Sequence, residues 1–276
     1  MEDSLREGAL AIYRDALSQN VMELDISDFC SMGCVDCVRG CNILGPEYNR
    51  GMLSVADVKQ FMTETEDLNH TWKLIKLIGG EPTEHPDVLD IASLLYPYCR
   101  DRGTQLQINT NMATQRARQI CIALRRQFPK MIIMSSHKTL GKTINKEFFL
   151  TPWIRPEDVG EANAIQKGHC WCVSRCGMGF SSTGFGICCN VHNYVRAYKT
   201  TSELKTLADL FNQDKIIRHM ELFCINCGVS LNHSRFSSQI GEKIRFSKYW
   251  HDFFKREHPV HWESISKGEL ICIQST

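Results

Sequence analysis

Cys30-Ser31-Met32-Gly33-Cys34-Val35-Asp36-Cys37 puts three thiols on one short loop, directly after an apolar stretch, Val21 to Phe29, that reads as a strand. Three thiolates can hold three corners of a cubane iron–sulfur cluster and leave the fourth iron open to a substrate or cofactor, whereas four-cysteine clusters move electrons. A zinc site wants a fourth ligand at finger-like spacing. Cys41 is a candidate for it, so this spacing alone leaves both metals open.

A second stretch narrows the choice. Lys73-Leu74-Ile75-Lys76-Leu77-Ile78-Gly79-Gly80-Glu81-Pro82 reads as a short buried strand followed by a Gly-Gly turn. Glycine lets a backbone come flush against a ligand, and two in a row expose amide and carbonyl groups at the strand end. Together, the two stretches resemble the radical S-adenosylmethionine (SAM) superfamily, over about residues 21–140. The resemblance implies that Cys30, Cys34 and Cys37 hold a 4Fe–4S cluster. It also implies that Gly79, Gly80, Glu81 and Pro82 bind the amino group of the SAM methionine. Asp36 departs from the family, which usually places an aromatic residue before the third cysteine.

The bulk properties fit one large α/β domain with a small appendage: 276 residues, 43% hydrophobic. A net charge of +1 gives no whole-chain pull toward nucleic acid or an anionic membrane. No run of 18 apolar residues occurs, and Met1-Glu2-Asp3-Ser4 does not begin a signal peptide, so the chain reads as cytoplasmic. Fourteen cysteines without a secretion signal point to metal ligation rather than disulfides.

Along the chain, residues 1–20 read as an amphipathic helix and 21–30 as the first strand. Ser54 and Asp57 form a capping box that opens a helix ending near Asp67. Strands follow at 72–78, 105–108 and 131–134, with helices after Pro86 and over 114–127. This alternation implies βα units and a parallel sheet, with ligand residues at the strands' C-terminal ends. Cys30, Gly79, Asn109 and Ser135 all fall there. Asn109, Thr110, Asn111 and Ser135 are therefore candidate cofactor contacts, and a polar turn capping the next helix is the plainer reading of the three residues 109–111. His137 is a weaker candidate at the same mouth. After residue 140 the rhythm breaks, so the barrel reads as partial.

Residues 170–189 carry five cysteines, Cys170, Cys172, Cys176, Cys188 and Cys189. Between them, Gly177 to Ile187 alternates small or polar residues with apolar ones around Ser181-Ser182-Thr183-Gly184, a hairpin pattern. Folding back near Thr183 brings Cys176 beside Cys188 and Cys189. Cys170 competes with Cys176 as first ligand, while Cys172 and Cys189 read as neighbours. A helix over 202–220 then delivers the Cys224-Ile225-Asn226-Cys227 pair. Cysteine, hairpin, cysteine, helix and CxxC, in that order, resemble the Twitch domain, the shortened SPASM domain of many radical SAM enzymes. The resemblance implies a second, auxiliary 4Fe–4S cluster, for which Cys170, Cys176, Cys188, Cys224 and Cys227 are the candidates. A structural zinc on four thiols is the alternative, since both metals take such sets.

Cys99 and Cys121 lie among apolar helix positions and read as core. Cys272, near the C-terminus, is a weak candidate hydrogen-atom donor and otherwise a bystander. Between Lys243 and Trp262, Phe246, Trp250, Phe253 and Phe254 share one helix face and charges of both signs alternate. That pattern suggests a helix packing on the barrel rather than a nucleic-acid surface.

The expected fold is α/β, a partial (β/α) TIM-like barrel of the radical SAM type (1–165) with a small C-terminal Twitch-like β-hairpin/helix domain (166–232) and a helical extension (233–276). The resemblance implies reductive cleavage of SAM and abstraction of a hydrogen atom from an unactivated C–H bond, with flavodoxin or ferredoxin as the electron donor. Only 29 residues precede Cys30, which leaves no room for a leader-binding domain. The expected partner is therefore a small polar molecule such as a sugar, aminocyclitol or nucleotide, used in a two-electron oxidation or epimerisation. A peptide-modifying maturase and a non-catalytic Fe–S or zinc scaffold are the alternatives. Gly79-Gly80-Glu81-Pro82 argues against the scaffold, which has no need of a SAM-binding turn.

Overall fold

The structure is a computed structural model. It describes residues 3–32, 34, 37–44, 51–136, 138, 152–231, 245–259 and 262–263, and the backbone of 271–273.

Strand β1 (Val21–Ser27) is buried along its whole length, as a central strand covered on both faces should be. It is preceded by helix α1 (Asp3–Gln19), whose Ala9, Ile12, Tyr13 and Ala16 turn inward. Helix α2 (Val55–Asp67) starts on the expected capping box. The Ser54 hydroxyl accepts from the Asp57 amide, and the Asp57 carboxylate accepts from the Ser54 amide. The repeat continues through β2 (Leu74–Gly79), α3 (Val88–Asp101), β3 (Gln105–Thr110), α4 (Gln115–Gln127) and β4 (Ile132–Ser135). Strands β1 to β4 pair in parallel and in sequence order, so every connection is a helical crossover and every C-terminal end lies on one rim.

After the short α5 (Ala164–Lys167) comes α6 (Trp171–Cys176), then the hairpin of β5 (Met178–Ser181) and β6 (Gly184–Gly186). The turn falls at Ser182-Thr183 as expected, with Phe180 opposite Phe185. The hairpin does not stand apart from the first sheet. Strand β5 pairs in parallel with β1, giving a six-stranded sheet in the order β4-β3-β2-β1-β5-β6 that is open among the described residues. The architecture is a mixed α/β fold on a mainly parallel sheet, consistent with a partial barrel.

The remaining elements are α7 (Val191–Ala197), α8 (Leu207–Leu210), α9 (Gln213–Phe223), β7 (Arg245–Ser247), α10 (Lys248–Glu257) and β8 (Ile271–Ile273). The single helix expected over 202–220 is thus two, because Phe211-Asn212 caps one and starts the next. Helix α10 buries Trp250, Phe253 and Phe254, as their spacing implies. Among their partners, Trp153 lies inside the 1–165 range expected to be barrel, and Tyr194 and Tyr198 lie beyond it. Trp250 meets Trp153, Tyr194 and Tyr198, and its indole donates to the Asn226 carbonyl at 3.0 Å. Helix α10 therefore braces the segment that carries Cys224 and Cys227. No described helix is long and apolar enough to cross a membrane.

Candidate active site

A cavity of about 520 Å³ opens on the rim at the C-terminal ends of β2, β3 and β4. Cys30, Cys34 and Cys37 line it together with Gly79, Gly80, Glu81, Asn109, Thr110, Asn111 and Ser135. Residues from four separate stretches of sequence therefore converge as expected. Pro82 does not reach the cavity lining; it is buried at the start of a short 3-10 turn, Pro82–Glu84. His137 and Asp36 lie outside the described residues. The backbone of Cys272 pairs with Phe246 in the β7–β8 ladder.

The two glycines serve the backbone of β1 more than a ligand. A β-carbon on Gly80 would stand 2.3 Å from the Phe29 carbonyl oxygen and 3.1 Å from the Cys30 β-carbon. One on Gly79, where φ is +154°, would stand 2.3 Å from the Ser27 carbonyl oxygen. The amides are committed as well: Gly80 donates to Ser27 O at 2.6 Å and Glu81 to Phe29 O at 2.7 Å. The expectation that the turn exposes its amides is corrected accordingly. Through these bonds β2 carries the start of the cysteine loop, and contacts from this backbone to a ligand are left to carbonyl oxygens.

Glu81 is buried and acts as a hub. Its carboxylate accepts from the Thr83 amide (3.1 Å) and hydroxyl (2.6 Å), the Thr110 hydroxyl (2.7 Å) and the Asn111 amide (2.7 Å). Thr110 and Glu81 thus lock the ends of β2 and β3 to one another, while Asn111 turns its side chain to the cysteine loop. Hydrogen bonds to a charged acceptor are the stronger kind, about 1.5–3 kcal/mol each.

The cysteine loop is set to hold thiolates. The Asn111 amide side chain lies 3.8 Å from Cys30 Sγ, which also accepts from the Met32 amide at 3.5 Å. Lys138 Nζ lies 3.5 Å from Cys34 Sγ. Burial pushes the Cys30 thiol up to about 12 and raises that of Cys34, with Lys138 opposing the latter. Cys37 is lowered, chiefly by a hydrogen bond from the Cys41 thiol, whose own pKa rises by the same contact. Cys41 is thus buried beside Cys37, and its thiol also lies within reach of the Asp28 carbonyl at 3.6 Å and the Arg39 carbonyl at 3.9 Å. Metal binding relieves the burial penalty by replacing the thiol protons with cationic charge. This donor set, three thiols supplied with N–H and ammonium groups, fits an iron–sulfur cluster.

The sequence reading missed the charges beneath the loop. Glu23 and Asp25 look like the polar half of an alternating strand, yet both are buried. Arg39 bridges them at 3.3 and 3.0 Å, and Lys76 adds a contact to Glu23 at 3.1 Å. Arg196 reaches Asp28 at 3.4 Å. Burial raises Asp28 to about 6 and Glu23 to about 8 despite these partners.

The second cysteine group departs from expectation. Cys176 does not start a hairpin strand; it ends α6. Cys188 lies past the end of β6, so the alternation of side chains along a strand governs neither residue. Cys176 meets Cys172, one helical turn earlier, and Cys189. Cys170, the alternative first ligand, faces the other set. Every pair among Cys170, Cys188, Cys224 and Cys227 interacts electrostatically, and burial together with those neighbours raises the thiols of Cys170, Cys224 and Cys227. Asn190 donates to Cys227 Sγ at 3.5 Å. The structure therefore sorts the seven thiols into a group of four and a group of three, which touch through a Cys172–Cys188 contact.

No protein-family model matches the chain, and no curated protein matches it. A solved structure, "Crystal structure of BtrN in complex with AdoMet and 2-DOIA", aligns over 75% of this chain and 87% of that chain, at 12% identity and a TM-score of 0.44. That likeness is too distant to carry an argument about the site.

Proposed function

We propose that this chain is a radical SAM enzyme acting on a small polar substrate. The observation that carries the reading is the single cavity in which the Cys30, Cys34 and Cys37 loop meets Gly79-Gly80-Glu81 and Asn109 to Asn111. Bound there, a 4Fe–4S cluster and SAM would supply one-electron chemistry able to take a hydrogen atom from an unactivated C–H bond.

The chain's own residues define what the site contributes. Cys30, Cys34 and Cys37 would hold the cluster, with Asn111, the Met32 amide and Lys138 stabilising sulfur charge. Glu81 fixes the relative position of the β2 and β3 ends, so the cavity wall is preorganised. Carbonyl oxygens at Gly79-Gly80 suit an ammonium group. Gln107, Asn109, Ser135, Ser136 and Lys138 put polar groups on a wall that also carries Met134, which suits a hydroxylated or charged small molecule such as a sugar, aminocyclitol or nucleotide.

Cys170, Cys188, Cys224 and Cys227 would hold an auxiliary 4Fe–4S cluster. Four thiols that interact pairwise, Cys170 and Cys188 buried and Cys224 and Cys227 half-buried, would make a complete ligand set. Such a cluster suits an overall two-electron oxidation, with flavodoxin or ferredoxin as the external donor. Anaerobic incubation of the reconstituted chain with candidate polyols, aminocyclitols and nucleosides in the presence of SAM and dithionite tests the reading. Consumption of one class together with SAM supports it, and SAM cleavage stimulated only by a peptide would replace the substrate class.

A further inference from the structure

We propose that Cys172, Cys176 and Cys189 form a separate mononuclear site for one Zn²⁺ ion, whose fourth position is completed by a water molecule. The three sulfurs all lie within 4.8 Å of one another, the tightest such convergence among the described residues. A tetrahedral zinc with Zn–S near 2.3 Å holds its sulfurs about 3.8 Å apart. A four-iron cluster binds each thiolate to a different iron and spreads them wider. The spacing therefore suits a single ion.

Local structure explains the convergence. Cys172 and Cys176 stand four residues apart on α6 and so share one helix face. Cys189 reaches them because β5 carries Gly179 at the crossing. A β-carbon there would stand 2.8 Å from the Cys189 α-carbon. Any side chain at 179 would push Cys189 away from α6.

The surroundings match a zinc–thiolate centre in charge. Glu23 is hydrogen-bonded to the Cys189 thiol. Lys76 donates to the Cys176 carbonyl at 3.0 Å and Arg39 to the Cys189 carbonyl at 2.9 Å, and both cations pair with Glu23. A divalent ion offsets two of the three thiolate charges, and Lys76 and Arg39, shared with Glu23 and Asp25, face the rest. That balance matters where every member is mostly buried, because an uncompensated charge there is expensive. Without metal, the Cys176 sulfur takes hydrogen bonds from the other two thiols, the arrangement that an incoming ion replaces by releasing protons. The site joins α6, β1 and the turn after β6, so the ion would pin the hairpin to the parallel sheet.

The test is metal analysis of the full chain, purified anaerobically with its clusters reconstituted and then dialysed against a mild chelator. The expected result is about one zinc per chain in addition to iron, with a zinc K-edge spectrum showing three sulfurs and one light atom. Cys176→Ser and Cys189→Ser should each lower retained zinc at least about tenfold while iron is kept. The wild-type spectrum decides the matter even if either variant folds poorly. No sulfur-bound zinc in the wild-type chain would overturn the proposal. So would zinc that survives both substitutions, or a Cys189→Ser protein that loses iron instead.

Discussion

Glu84 grips Ser31 with both carboxylate oxygens, accepting from its amide at 3.1 Å and its hydroxyl at 2.5 Å. The bond ties the residue after Cys30 to the 3-10 turn that follows Gly79-Gly80-Glu81. Because the pair is exposed, its net worth to stability is small, about 1 kcal/mol. Its value is positional: it holds one side of a loop that must present three sulfurs at once.

Glu84→Ala should therefore leave the melting temperature nearly unchanged but loosen the loop. Chelator-driven iron loss from the Cys30, Cys34 and Cys37 site should accelerate several-fold, followed by absorbance in the reconstituted protein. An unchanged rate would mean that the loop is held without Glu84.

Gly80→Ala asks whether the close approach of β2 to the loop is needed. The added methyl would meet the Phe29 carbonyl at 2.3 Å, and backbone cannot step aside cheaply. Overpacking of this kind costs about 1–3 kcal/mol. We expect a melting temperature several degrees lower and weaker SAM binding by calorimetry. A variant with wild-type values on both would remove the steric argument.

Iron counts separate the two thiol groups. Cys170→Ala should lose about four of about eight irons, because it removes a ligand of the four-thiol group. Cys176→Ala should keep both clusters, since its neighbours are Cys172 and Cys189. The reverse result would restore the hairpin pairing expected from sequence.

The strand position expected for Cys176 failed for a definite reason. Trp171 to Cys176 is a six-residue helix, too short for hydrophobic periodicity to reveal, so Cys176 looked like the start of a strand. The hairpin itself was legible from its alternation and its turn. Its place beside β1 was not, because that pairing joins residues about 156 positions apart, as Met22 opposite Met178 shows. The three βα units, β4 and the Ser54 cap were legible because each rests on local pattern. So was the convergence of Cys30, Gly79, Asn109 and Ser135, which follows from parallel pairing alone. Glu23 and Asp25 were not, because a polar residue in an alternating strand normally means a solvent face. Here Arg39, Lys76 and Arg196, distant in sequence, cover it.

His219 provides a pH test on α9, the helix that leads to Cys224. It is buried on α9 against Phe223, with neither ring nitrogen hydrogen-bonded among the described residues. Burial lowers its pKa to about 3. The unfolded chain protonates this group near 6.5, so between those values the unfolded state binds more protons. Its neutral form contributes full stability above about pH 6.5, and that contribution is lost as pH falls toward 3. His219→Leu should therefore gain in melting temperature relative to wild type as pH drops from 7 to 4. A constant difference across that range would contradict the assignment.

The central claim is that the Cys30, Cys34 and Cys37 loop and the Gly79-Gly80-Glu81 turn form one SAM-cleaving site. The direct measurement is 5′-deoxyadenosine formed by the anaerobically reconstituted chain with SAM and dithionite, compared with the Cys30, Cys34, Cys37→Ala triple variant. The account predicts product from the wild-type chain and none above background from the triple variant. It also predicts product from a Cys224, Cys227→Ala variant, which disturbs only the four-thiol group. No product from an iron-loaded wild-type chain, or equal product from the triple variant, would contradict it.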